Sequence, residues 1–305
     1  MAQRIKPPAT TLGRFFDETV KRLARARLAY GHGTTNARDE AAFLVLEGIG
    51  LPIDRLDPYR ELRLSEAERR KLDTLVHRRI EERMPAPYLL GTAYMQGVRF
   101  RSDRRALIPR SFIGDMLAGG MLPLAEDARV NRILDLCTGS GCLAILAAFA
   151  FPKAMIDAVD LSAPALALAR QNVAAHCLRE RVELLRGDLF APLKGRRYDL
   201  IISNPPYVDA SGMEGLPPEY LHEPRMALAA GDDGLDLVHR ILAEAPRHLT
   251  PKGALLCEVG RGKANIEATY PRTPFLWLDT ELSEGEVFWL DARNLPGRSP
   301  APVPS

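Results

Sequence analysis

A doubly wound, mainly parallel α/β sheet preceded by a small helical N-terminal domain is the architecture this sequence predicts. Three observations predict it. Helical periodicity runs through the first 84 residues, nearly continuous apolar runs alternate with helical stretches from residue 132 onward, and the 305-residue length suits one large domain plus a smaller one.

Taken in order, Leu12, Phe15, Phe16, Val20, Leu23 and Leu28 recur at helical spacing, and Asn36 with Asp39 opens a second helix through ARDEAAFLVLEGIG. Ser65 and Glu68 form a capping box ahead of a third helix that carries Leu72, Leu75, Val76 and Ile80 on one face. MPAP at 84–87 stops it, and three amphipathic helices this short are expected to pack on one another, giving a helical bundle over 1–86. From Tyr88 to Pro109 short β-prone pieces surround glycines, which reads as a hairpin linker over 87–110. The remainder, 111–295, begins with a helix near 111–122. It continues with strand RILDL, helix CLAILAAFAF, strand MIDAVDL, the Ser162-capped helix, VELLRGDL, YDLIIS, a long loop over 204–231 and a helix near 233–247. GALLCEV, a short helix, FLWLD and GEVFWLD complete it. Buried parallel strands need apolar residues on both faces, which these runs supply. The last two lie too close for a helical crossover and are expected to pair antiparallel at one edge. The Pro- and Ser-rich end, 296–305, reads as a disordered tail.

Composition narrows the function. Lys plus Arg number 41 against 39 Asp plus Glu, a balance too even to imply wholesale nucleic-acid binding. Residues 1–30 are locally basic (Arg4, Lys6, Arg14, Lys21, Arg22, Arg25, Arg27 against Asp17 and Glu18), which suits a solvated helix face or a weak RNA contact. The four cysteines form no C-x-x-C pair, so neither a zinc site nor a redox motif is expected. The start MAQRIKPPATT has no apolar signal core and no run is long enough to span a membrane, so a soluble, cytoplasmic protein is expected.

Ligands of open parallel sheets bind beyond the carboxyl ends of the strands. The first end reads DLCTGSGC, Asp135 to Cys142, where Thr138, Gly139, Ser140 and Gly141 make a tight turn that lacks the third glycine of a dinucleotide fingerprint. A plain glycine turn is the alternative reading. The second ends in Asp160, placed to accept from both hydroxyls of a ribose, and the third in Asp188-Leu189, placed to accept from an adenine amino group. The fourth is Asn204-Pro205-Pro206-Tyr207, where two prolines end the ladder and stiffen a backbone that offers outward carbonyls, an amide and an aromatic ring.

With that fourth end the sequence resembles the S-adenosylmethionine-dependent methyltransferases of the seven-stranded, Rossmann-like class I, and NPPY resembles their amino-methylating signature. The likeness covers 131–292 in the right order. It implies S-adenosyl-L-methionine as cofactor, a sheet whose last strand alone is antiparallel, and cofactor-binding roles for Asp135, Thr138, Gly139, Ser140, Gly141, Asp160, Asp188, Leu189 and Asn204. It also implies an acceptor pair, Asn204 and Pro205, for the substrate amino group, with Pro206 and Tyr207 beside it. PYLLGTAYMQGVRF, LIPRS and HEPRMALAAGDDGL resemble the protein glutamine methyltransferases over roughly residues 12–295, with the helical domain recognising the substrate. Arg110, in the lid segment LIPRS, is placed to reach a cofactor carboxylate or to make a surface ion pair, and His222-Glu223 to close the loop after NPPY. Two branches of that family compete, one acting on the GGQ loop of release factors and one on uL3, protein three of the large ribosomal subunit. YGHGTTNARDEAAFLVLEGIGLP, Cys137 in place of glycine after the strand, and NPPYVDA with LPPEYLHEP resemble the second. A nucleic-acid amino-methyltransferase and a non-catalytic ribosome-assembly factor are the remoter readings.

Overall fold

The computed structural model describes residues 10–124, 129–281 and 283–296; Arg4, Lys6 and the tail from residue 297 lie outside them. The chain divides into two compact units: one takes in the chain up to Thr92 together with Pro217–His222, the other Ala93–Leu216 and the chain from Glu223.

The first unit holds helices α1 (Leu12–Arg25), α2 (Ala37–Gly48), α3 (Glu66–Glu81) and α4 (Ala86–Leu90). The Asn36 side chain accepts from the amides of Arg38 and Asp39, and the Ser65–Glu68 box is closed in both directions. Leu12, Phe16, Leu23, Leu44, Leu72 and Val76 are fully buried among them, each contributing roughly 1.5–3 kcal/mol. On α1 the basic side chains mostly face solvent, with Arg22 paired to Asp73.

Buried in this unit is a charge network. Arg79 gives its Nε to Glu40 at 2.5 Å, one Nη to Glu219 at 3.4 Å and the other to the carbonyl of Ala29 at 2.9 Å. Glu219 also takes Arg83 and the amide of Ala29, so the short segment 217–222, remote in sequence, belongs with the helices.

Residues 87–90, expected within the hairpin linker, belong to helix α4. Pro at the opening of α4 presets φ where no N–H is needed, and Gly91 at φ 68° ends it. The hairpin itself is β1 (Thr92–Met95) and β2 (Val98–Arg101), turned by Gln96 and Gly97, both at positive φ as a two-residue primed turn requires.

The second unit continues with α5 (Phe112–Gly119), β3 (Arg132–Leu136), α6 (Cys142–Ala150), β4 (Met155–Asp160), α7 (Ala163–Ala175), β5 (Val182–Arg186) and β6 (Tyr198–Ser203). After α8 (Ala210–Glu214) come α9 (Asp236–His248), β7 (Leu249–Glu258), α10 (Lys263–Thr269), β8 (Leu276–Thr280) and β9 (Ser283–Asp291). Seven strands form one sheet in the order β5-β4-β3-β6-β7-β9-β8, with β9 antiparallel to both neighbours and the pairings among β3 to β7 parallel. Alternate residues serve opposite faces: Ile133, Leu200, Ile202 and Leu256 pack with α5 and α6, while Leu134, Ile201, Leu255 and Cys257 pack with α9. Strand order reverses between β3 and β6, so a crevice opens beyond their carboxyl ends. Among the described residues no helix is long and apolar enough to cross a membrane.

The network in the first unit makes a test. Arg79→Met leaves two buried carboxylates short of a partner, so helical ellipticity in a urea titration should be lost earlier, by about 3–5 kcal/mol of stability.

Candidate functional site

Beyond the reversal of strand order lies a pocket of about 770 Å³, its mouth included. The four strand ends meet in it: Cys137 and Gly139 after β3, Asp160 at the end of β4, Gly187 to Leu189 after β5, and Asn204 with Pro206 after β6. Leu161, Ala165 and Leu237 supply apolar walls.

The glycine turn is held from beneath. Asp135 accepts from the Thr138 hydroxyl and, at 3.0 Å, from the amide of Ala144 through the same oxygen; among the described residues its other oxygen, which is buried, meets no hydrogen-bond donor. Burial pushes the Asp135 carboxyl up to about 7, with Asp160 nearby adding to the effect. Gly139 donates its amide to one oxygen of Asp160 at 2.8 Å and Ser162 to the other at 2.8 Å, which aims that carboxylate across the pocket; burial raises its pKa too. Gly141, at φ 80°, admits Ala169 so closely that a Cβ there would stand 3.1 Å from it. Cys137 occupies the left-handed region at φ 59°, an uncommon conformation for a side-chain-bearing residue, and burial raises its thiol pKa, so it is an uncharged wall.

Asp188 lines the pocket but also accepts Arg240 from α9 at 2.8 Å. Two carboxylates, Asp160 and Asp188, thus line the pocket, and Asp188 is countered by an arginine.

At the fourth strand end the side-chain amide is pinned. Asn204 donates its Nδ2 to the carbonyl of Arg110 at 3.2 Å, which identifies Oδ1 as the atom left to accept. Pro205 is buried, and among the described residues no hydrogen bond reaches its carbonyl. The segment is rigid beyond what two prolines impose, because Val208 exchanges backbone hydrogen bonds with Leu228 and Ala230 at 2.8 and 3.0 Å. Tyr207 does not line the pocket. Its ring lies on Gly260, where a Cβ would come within 2.7 Å, and its hydroxyl donates to Glu258 at 3.1 Å.

Arg110 is likewise turned elsewhere. Both terminal nitrogens go to the Glu223 carboxylate at 2.7 Å, and Glu223 also accepts the amide of Ile108 at 2.9 Å. Glu223 therefore ties the lid segment to the loop after NPPY, whereas His222 reaches the carbonyl of Glu82 within the helical unit. Gly139, Asp160, Asp188, Leu189, Asn204 and Pro206 thus share the pocket. Asp135, Thr138, Ser140 and Gly141 support it from behind. Sequence reading missed Arg105 to Leu107 and Met226, which line it from segments without periodicity, and Glu258, which no local pattern marks.

Strand order, a lone antiparallel strand and a pocket at the reversal are those of class I methyltransferases, and a model of the methyltransferase small domain matches residues 120–229. Relatives extend the likeness over nearly the whole chain. A ribosomal protein uL3 glutamine methyltransferase of Bradyrhizobium diazoefficiens is 52% identical over 286 residues, 91% of this chain and 89% of the relative. Those of Burkholderia pseudomallei and Neisseria meningitidis serogroup A are 48% and 49% identical, covering 95% and 94% of this chain and 97% and 95% of theirs. The chain belongs to the ribosomal protein uL3 glutamine methyltransferase family.

The raised Asp135 carboxyl carries a pH signature. Its folded form binds the proton more tightly than the unfolded chain, so its contribution to stability is complete below about pH 4 and lost as pH rises through about 7. Asp135→Asn does not titrate, and its stability relative to the wild type should rise between about pH 4 and pH 8 by on the order of 2–4 kcal/mol in urea unfolding without ligand.

Proposed function

We propose that the protein transfers a methyl group from S-adenosyl-L-methionine to the side-chain amide nitrogen, N5, of a glutamine in ribosomal protein uL3. The observation that carries this reading is the pinned Asn204 amide, which leaves Oδ1 to accept at the wall of the pocket where four strand ends meet; the carbonyl of the neighbouring Pro205 is the second acceptor the reading requires. Family membership supplies the substrate protein, and a ribosomal substrate argues for a cytoplasmic location.

An amide nitrogen is a poor nucleophile, because its lone pair is delocalised into the carbonyl. Asn204 Oδ1 and the Pro205 carbonyl would accept its two N–H hydrogens, turning the lone pair toward the donor and stabilising positive charge as it develops. Bound S-adenosylmethionine supplies an activated methyl, whose C–S bond breaks with the electron pair staying on sulfur. The nitrogen pair forms the new N–C bond, and the nitrogen then releases one proton to solvent, so no strong base is needed beforehand. Asp160 would hold the ribose hydroxyls and Asp188 with Leu189 the adenine edge. The glycine turn over Asp135 would take the amino-acid end. Glu223, by holding Arg110, would keep the lid segment over the pocket. Most of the rate enhancement would come from alignment, for which good geometry is worth roughly 7–11 kcal/mol.

Incubation of labelled S-adenosylmethionine with isolated uL3, a release factor and nucleic acid should place label in uL3; label confined to either of the others overturns the reading. Asn204→Ala should lower kcat about 100- to 1,000-fold while calorimetry shows cofactor affinity nearly unchanged. Loss of that affinity instead would assign Asn204 to the cofactor.

A further inference from the structure

The reaction scheme makes no use of Glu258, although it is a buried carboxylate at the carboxyl end of β7, on the strand next to the one that ends in Asn204. Its hydrogen bonds converge from both sides of the acceptor pair. One oxygen accepts the Tyr207 hydroxyl at 3.1 Å; the other accepts the Ser111 hydroxyl at 2.5 Å and the Phe112 amide at 3.1 Å. Ser111 caps α5 by accepting from Ile113, and the residue ahead of it, Arg110, presents the carbonyl that pins Asn204. Glu258 thus holds both the aromatic residue after the prolines and the segment that orients the amide, while lying outside the pocket itself.

On the amide-methylation reading, we propose that Glu258 is a positioning residue for methyl transfer: its carboxylate locks Tyr207 and the 110–112 segment, and so fixes Asn204 Oδ1 toward the substrate nitrogen. Three donors converge on it, and an ionised carboxylate satisfies all three as a pure acceptor. A protonated one must donate, so one of the two hydroxyls loses its acceptor. The titratable and charged groups that face it are Tyr207 from the segment after β6 and Glu286 from β9, with Arg110 acting on Tyr207 from ahead of α5. Burial, reinforced by Glu286, raises the Glu258 carboxyl to about 7, so the lock closes as pH rises through neutrality. Burial and Glu258 together push the Tyr207 hydroxyl well above its ordinary range, so it remains the donor.

The test uses the full-length enzyme. Glu258→Gln should bind S-adenosylmethionine within about threefold of the wild type by calorimetry, leave KM for uL3 little changed and lower kcat by about 10- to 100-fold. The wild-type rise of kcat through about pH 7 should flatten in the variant. Tyr207→Phe and Ser111→Ala should each lower kcat in the wild type and add little in the Glu258→Gln background. Wild-type kcat and pH profile in Glu258→Gln, or full additivity with both partner changes, overturns the proposal. Loss of cofactor binding together with kcat does so too, since it marks Glu258 as a general support of the fold. Without any substrate, hydrogen exchange at the Phe112 amide and the Asn204 side-chain resonances should respond to Glu258→Gln, and their indifference also overturns it. A wild type inactive on uL3 would overturn the substrate reading instead, because those two signals are read independently of uL3.

Discussion

Everything in the catalytic unit follows from one constraint: parallel strands all end at the same edge, and the strand order reverses between β3 and β6. Four consecutive strand ends must then open onto one crevice, so residues far apart in the chain become neighbours without any long-range motif specifying it. The crevice stays open because the helices that cover the sheet leave β3 and β6 toward opposite faces. Each end then carries the group its geometry allows. A glycine turn admits a close approach, Asp160 accepts across the pocket, and the prolines of NPPY stop the ladder so that the Pro205 carbonyl is not consumed by it.

Charge is arranged on the same plan. Acidic groups gather at the strand ends, and the deeply buried Asp135 and Glu258 are raised by burial. The arginines near the pocket are each paired with a carboxylate: Arg110 with Glu223, Arg240 with the pocket-lining Asp188, Arg105 with Asp103. The helical unit solves a different problem, burying Arg79 between two glutamates, and does so with a carboxylate borrowed from the loop after NPPY.

Much of the fold was legible because the signals are local. Apolar runs marked the core strands, and Asn36, Ser65 and Ser162 marked helix starts that the structure retains as caps. The antiparallel pairing of β8 with β9 followed from the short spacing of the last two runs. Residues 87–90 were read into the hairpin, because Pro and Gly punctuate a helical turn as readily as a hairpin. The assignment of 217–222 to the helical unit left no local mark, since it rests on Glu219 meeting Arg79 across 140 positions.

At the site the division is similar. The identities of the acidic, glycine and NPPY residues at successive strand ends were determined by the sequence alone, because strand-to-loop transitions are written in neighbouring residues. Only the tertiary structure decided what each side chain does there. Tyr207 turns from the pocket to Glu258, Arg110 is spent on Glu223, and the Asn204 amide is oriented by a backbone carbonyl 94 residues upstream. The physical reason is that a side chain's direction depends on which donors and acceptors packing brings within about 3 Å, and those partners come from elements that no sequence period connects.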